Sequence, residues 1–123
     1  MSSTGLLGAF GEARAAEFLR KKGYTVRAMN YRTRLGEIDV IASRRGYIVF
    51  CEVKLRRDDR FAKAREFVTP QKQKRVIAAA MQYLAQNPTG EQPRFDVIEI
   101  YAPQGTETQH PEIIHWENAF ELT

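Results

Sequence analysis

The sequence predicts an α/β domain with helices flanking a central β-sheet, in the order α-β-β-β-α-β. Apolar spacing alternates along the chain between a helical period and a strand-like period of two. Gly, Pro and Asn punctuate each change. The 123 residues, 43% apolar and 28% charged, suffice for one soluble domain spanning residues 1–123.

Residues 5–22 are rich in Ala, Leu, Glu and Arg, and Gly23 supplies a helix stop. Residues 24–32 carry β formers between polar neighbours. Residues 37–43 and 47–55 read as two strands joined by a two-residue turn at Arg45-Gly46, where Gly accommodates positive φ. Residues 56–68 are charged and irregular. Thr69 and Pro70 then form a helix start, with Thr as N-cap and Pro in the first helical position. Val76, Ile77, Ala80 and Leu84 recur at helical spacing before Asn87-Pro88 ends the helix. Residues 94–101 form another strand, and residues 112–116 a short additional one.

The formal charge of +4 hides an asymmetry. Residues 1–87 carry +10 and residues 88–123 carry −6, which points to a polyanion partner for the basic body. Cys51 is the single cysteine, which excludes an internal disulfide framework and a four-cysteine zinc site. Apolar runs fall short of a membrane span, and the N-terminus lacks the pattern of a secretory signal, so the expectation is a cytoplasmic protein that does not enter a membrane.

The central hairpin carries the chemistry. The turn pairs Arg44 with Tyr47, and antiparallel partners then always add up to 91. One face becomes Ile38, Val40, Ala42, Val49, Cys51, Val53 and Leu55. The other carries Ile41, Ile48 and Phe50 near the turn, then Glu37, Asp39, Glu52 and Lys54. In this register Asp39 lies opposite Glu52 and Glu37 opposite Lys54. Two carboxylates about 5 Å apart repel by roughly 3 kcal/mol at an effective dielectric near 20. Protonation of one, a cation between them, or open solvent would relieve the conflict. A divalent ion suits oxygen ligands, so Mg²⁺ or Mn²⁺ on Asp39 and Glu52, with Lys54 facing a bound water, makes a hydrolytic site. A solvated sheet edge is the alternative.

Gly36-Glu37-Ile38-Asp39, twelve intervening residues, then Glu52-Val53-Lys54 resembles the PD-(D/E)XK nuclease pattern. Gly11-Glu12, Asn30-Tyr31-Arg32, Arg56, Val68-Thr69-Pro70 with Lys72, and Phe95-Asp96-Val97-Ile98 extend the likeness over residues 5–120. On these elements the chain resembles the YraN family of small bacterial proteins. That family is similar to archaeal Holliday junction resolvases and is regarded as endonucleases of the restriction-endonuclease-like fold. The resemblance implies metal-binding acids at Asp39 and Glu52, and a lysine at Lys54 that works on the attacking water and the phosphate. It adds Glu12 as the acid of the first helix. Ile38 stands where the name-giving proline would be, and Ala62 where many members have glycine. Resolvase-like relatives act on a symmetric junction, which implies a homodimer.

Glu12 shares a helical stripe with Gly8, Ala15 and Leu19, so it either leans toward the hairpin or is a surface glutamate like Glu17. Lys72, Lys74 and Arg75 crowd a helix start and oppose its dipole, an arrangement suited to a DNA phosphate, with Gln71 adjacent. Arg56, Arg57, Arg60, Lys63 and Arg65 make a basic loop for backbone contacts, and Tyr31 and Arg32 could touch nucleic acid. His110 and His115 read as structural or surface residues, and Cys51 as core. The expected function is a metal-dependent endonuclease acting on DNA, with branched or structured DNA as substrate. A non-catalytic nucleic-acid-binding module and a protein-interaction domain are the alternatives.

Overall fold

The computed structural model describes residues 6–57 and 68–121. Helix α1 (Leu6–Lys21) precedes strands β1 (Thr25–Arg32), β2 (Glu37–Arg44) and β3 (Tyr47–Arg56). Helix α2 (Pro70–Gln86), strand β4 (Gln92–Tyr101), a 3-10 turn at Gly105–Glu107 and strand β5 (Glu112–Phe120) follow. The expected order is therefore observed, with the last strand longer than its sequence signal. No described helix is long and apolar enough to cross a membrane.

The predicted stop and start signals act as expected. Gly23 takes φ of +95°. Its N–H donates to the Arg20 carbonyl at 3.0 Å and that of Tyr24 to the Leu19 carbonyl at 2.9 Å, closing α1. Thr69 Oγ1 accepts from the Lys72 N–H at 3.1 Å, with Pro70 opening α2. Arg45 and Gly46 have φ of 51° and 86°, the two positive values required by a tight hairpin turn.

The five strands form one mixed sheet in the order β1-β2-β3-β4-β5. Among the described residues its only parallel neighbours are β3 and β4, and α2 lies in the crossover between them. Helix α1 covers one face, where Ala15, Leu19 and Tyr24 meet Val40, Ala42, Val49, Cys51, Ile98 and Ile100. The opposite face belongs to α2, where Val76, Ala79 and Ala80 meet Ile38, Ile41, Ile48, Phe50, Phe95 and Val97. Phe50, Phe95 and Phe120 stack in sequence across that face.

The predicted hairpin register holds from Arg44–Tyr47 to Val40–Cys51 and then stops. Beyond it β2 stays with β1 as far as Arg32–Glu37, whereas β3 continues beside β4 to Arg56–Tyr101. The sheet forks there. Two sequence expectations fail for that reason. Ile38 joins the α2 face instead of lining up with Val40, because the strict alternation breaks at Asp39. Asp39–Glu52 and Glu37–Lys54 are not ladder pairs, and Glu37 instead meets Arg32, Oε1 to Nε at 3.7 Å.

Candidate functional site

The site occupies the fork. Asp39 leaves the regular ladder and points at β3, where its Oδ2 accepts the Val53 N–H at 2.8 Å. A carboxylate thus substitutes for the missing strand partner and holds the two strands at a fixed opening. Glu52 lies on the α2 side of β3. Its Oε2 stands 3.6 Å from the Lys54 ammonium and 3.3 Å from that of Lys72. Asp39 and Glu52 are each 3% exposed, and Glu12 is 5% exposed. Glu12 is therefore no ordinary surface residue. Helix α1 packs closely there, with Gly11 lying against Val53 and Leu55.

Burial beside two other acids raises the cost of ionising Asp39. The Asp39 carboxyl is pushed up to about 7. Burial is the largest cause, followed by the charge of Glu52; the Val53 N–H opposes them, Glu12 adds to the rise, and Lys72 lowers it. Among the described residues, no group of three or more His, Cys, Asp and Glu side chains is arranged to hold a metal ion. The donor chemistry nevertheless fits Mg²⁺, which is commonly held by one or two carboxylates with waters and substrate phosphates filling the remaining positions. Asp39 and Glu52 would supply those carboxylates, with Glu12 adding negative charge close by.

The predicted basic residues separate into three groups. Lys72 sits at the helix start as expected, but its ammonium is committed to Glu52, which makes it part of the acidic site's charge balance. Gln71 and Arg75 are exposed on the same first turns, and Arg32 is exposed on β1. Arg57 donates from Nη1 to the carbonyl of Pro103, just past the end of β4, at 3.4 Å, while Arg56 is half-buried at the end of β3. Arg60, Lys63, Arg65 and Ala62 lie outside the described residues. Tyr31 packs edge-on against Tyr83 and donates to Gln86, so it supports α2.

Sequence reasoning missed two acids on β4. Asp96 is fully buried and accepts from Arg94 Nε at 3.0 Å, Arg94 Nη2 at 2.8 Å and the Asn118 N–H at 3.0 Å. His115 Nε2 lies 2.7 Å from its Oδ2. Burial by itself would raise the Asp96 carboxyl, but the bonds from His115 and Arg94 outweigh it and hold the group below the usual carboxylate range. Glu99 is also fully buried, beside Lys54 in the β3–β4 register, and accepts from Tyr101 Oη at 2.8 Å and Trp116 Nε1 at 2.6 Å. The available signal was an acid at two positions of an otherwise apolar strand that the fold covers on both faces.

The sequence pattern of the uncharacterised protein family UPF0102 matches residues 11–100. The chain belongs to this family. A UPF0102 protein of Alkaliphilus oremlandii is 45% identical over 117 residues, covering 93% of this chain and 97% of that relative. One of Symbiobacterium thermophilum is 47% identical over 97 residues, covering 76% and 80% respectively. Another, of Flavobacterium psychrophilum, is 37% identical over 114 residues, covering 93% and 92%. The span matched by the UPF0102 pattern takes in Glu12, Asp39, Glu52, Lys54 and Lys72.

Proposed function

We propose that this UPF0102 member is a metal-dependent endonuclease that hydrolyses phosphodiester bonds in DNA, with branched or structured DNA as substrate. The observation that carries the reading is the burial of Glu12, Asp39 and Glu52 around one fork of the sheet, with Lys54 and Lys72 against Glu52. Buried like charges oppose folding, and a site that retains them draws its rationale from a bound cation. Mg²⁺ or Mn²⁺ on Asp39 and Glu52 would lower the pKa of a bound water and neutralise charge on a scissile phosphate.

The chain's own groups have separable tasks. The Val53 N–H fixes the direction of the Asp39 carboxylate. Lys72 holds Glu52 from the helix side, restraining its rotamer. Lys54, its side chain 30% exposed, is placed to orient a water or to stabilise charge on a phosphate oxygen with its ammonium. The exposed Arg32, Gln71 and Arg75 lie on the elements bordering the site and would take the flanking backbone.

A specific observation favours a second reading, a nucleic-acid-binding module without catalysis: the described acids do not form a three-ligand metal cluster, and Lys72 already neutralises Glu52. One experiment separates the two. Purified protein is incubated with Mg²⁺ or Mn²⁺ and linear, single-stranded, flap and four-way-junction DNAs, beside Asp39→Asn and Lys54→Ala. Metal-dependent products from the unmodified protein alone support the nuclease. Binding without products on every substrate supports the module, and absence of binding at low salt defeats both.

A further inference from the structure

The loop between β1 and β2 presents an apolar side chain where hairpin tips are ordinarily polar. Leu35 is 57% exposed, the most exposed of the five large apolar side chains found open to solvent among the described residues. Single exposed leucines are common on protein surfaces and by themselves mean little. Three further features set this one apart.

The tip is rigid. Thr33 Oγ1 accepts the N–H groups of Leu35 and Gly36 at 3.0 and 3.1 Å and donates to the Gly36 carbonyl at 3.0 Å. The Thr33 N–H donates to that same carbonyl at 2.8 Å. A side chain on such a turn is presented to a partner with little further loss of backbone entropy. The tip also carries an exposed cation, Arg34, while the neighbouring Arg32 side chain, 41% exposed, lies 3.7 Å from Glu37. Finally, it is locked to the site. Gly36 is so close to α2 that a Cβ there would run into the Arg75 carbonyl oxygen, and Arg75 stands one turn beyond the Lys72 that contacts Glu52.

An apolar wedge beside an exposed cation suits a base step that opens easily. Leucine is among the side chains that enter such steps, while the arginines take the adjoining phosphates. Intact duplex resists this because unstacking costs energy, and that cost is smaller where the continuity of the stack is interrupted, as it is where strands exchange between arms. We propose that the Arg34–Leu35 tip inserts into a distorted base step beside the cleaved strand and makes the protein prefer branched over continuous duplex. The inference rests on the nuclease reading above and names its substrate determinant. Leu35 is four residues from Asp39, at most about 14 Å along the chain. At 3.4 Å per nucleotide on one strand, that backbone span corresponds to about four nucleotides, to which the reach of the two side chains is added.

The test uses the full chain carrying Lys54→Ala, so that DNA stays intact in Mg²⁺. A four-way junction and a continuous duplex of the same sequence each carry 2-aminopurine at the corresponding step. The expected result is at least tenfold tighter binding to the junction, with a rise in 2-aminopurine emission. Adding Leu35→Ser lowers the junction-to-duplex ratio at least fivefold and removes the rise, and Leu35→Met retains both. An unchanged ratio and emission in Leu35→Ser overturn the wedge; if the unmodified protein still cuts DNA, the nuclease reading survives that result. Junction binding with the Leu35-dependent signal but no cleavage by the unmodified protein supports the wedge and sinks the nuclease. A change in self-association on Leu35→Ser, with DNA discrimination intact, assigns the tip to a second copy of the chain and overturns the proposal.

Discussion

Replacing Asp39 with asparagine should stabilise the metal-free protein while abolishing the nuclease activity proposed above. The carboxyl is 3% exposed and is carried from its ordinary 3.8 to about 7. At about 1.4 kcal/mol per tenfold change in protonation equilibrium, the ionised group costs on the order of 4 kcal/mol of stability. Because the folded value lies above the unfolded one, the native state binds the extra proton between those two values. Its contribution is complete below about pH 4, is lost as pH rises toward 7, and stays lost above that. Asparagine keeps an oxygen for the Val53 N–H and removes the charge. In EDTA at pH 8 the variant should be at least about 2 kcal/mol more stable, which is a melting point several degrees higher for a domain of this size. At pH 4 the two proteins should melt together. Adding Mg²⁺ at pH 8 should raise the melting point of the unmodified protein in proportion to the logarithm of its concentration and leave the variant unmoved. Equal or lower stability of Asp39→Asn at pH 8 would refute the view that Glu52 and burial hold this carboxylate under strain.

Other sites give independent checks. Gly36→Ala should cost about 1–3 kcal/mol in urea unfolding, since either the β1–β2 tip or the first turns of α2 must shift, and an unchanged midpoint would contradict the close approach. Asp96→Ala leaves Arg94 and His115 without their shared carboxylate and should cost about 3–5 kcal/mol, measured by the same unfolding curves. The Asp96 carboxyl is held low, so the stability it supplies is present above its unfolded value and should disappear only as pH falls below about 4; a difference titration against Asp96→Asn would show that loss. Burial pushes the Cys51 thiol well up, so iodoacetamide should label it only once the protein is denatured, as read by mass spectrometry.

Much of this was legible in the chain because it depends on neighbours in sequence. Thr69-Pro70, Gly23 and Arg45-Gly46 act within one turn of backbone, so each helix end and the hairpin tip follow from residue type. The tip in turn sets the β2–β3 register, and the register keeps Asp39, Glu52 and Lys54 near one another. The likeness to a nuclease pattern rests on that same short stretch.

Strict alternation, the rule that assigned faces to the hairpin, fails at Asp39, and a rule based on sequence spacing holds no information about where it fails. The break arises because β2 is claimed by β1 and β3 by β4, a competition among four strands decided by sheet order. Glu12 is buried because a helix residue 27 positions before Asp39 folds over the fork, and Lys72 finds Glu52 across the sheet–helix layer. Asp96 and Glu99 likewise gain their partners from β5 and from strand neighbours only after the sheet closes. Local spacing and capping residues thus determined the elements and placed the acids and Lys54 on one hairpin. Only packing between distant elements decided which of them are buried, which cation neutralises which carboxylate, and where the sheet opens, because those depend on contacts whose separation in sequence carries no period.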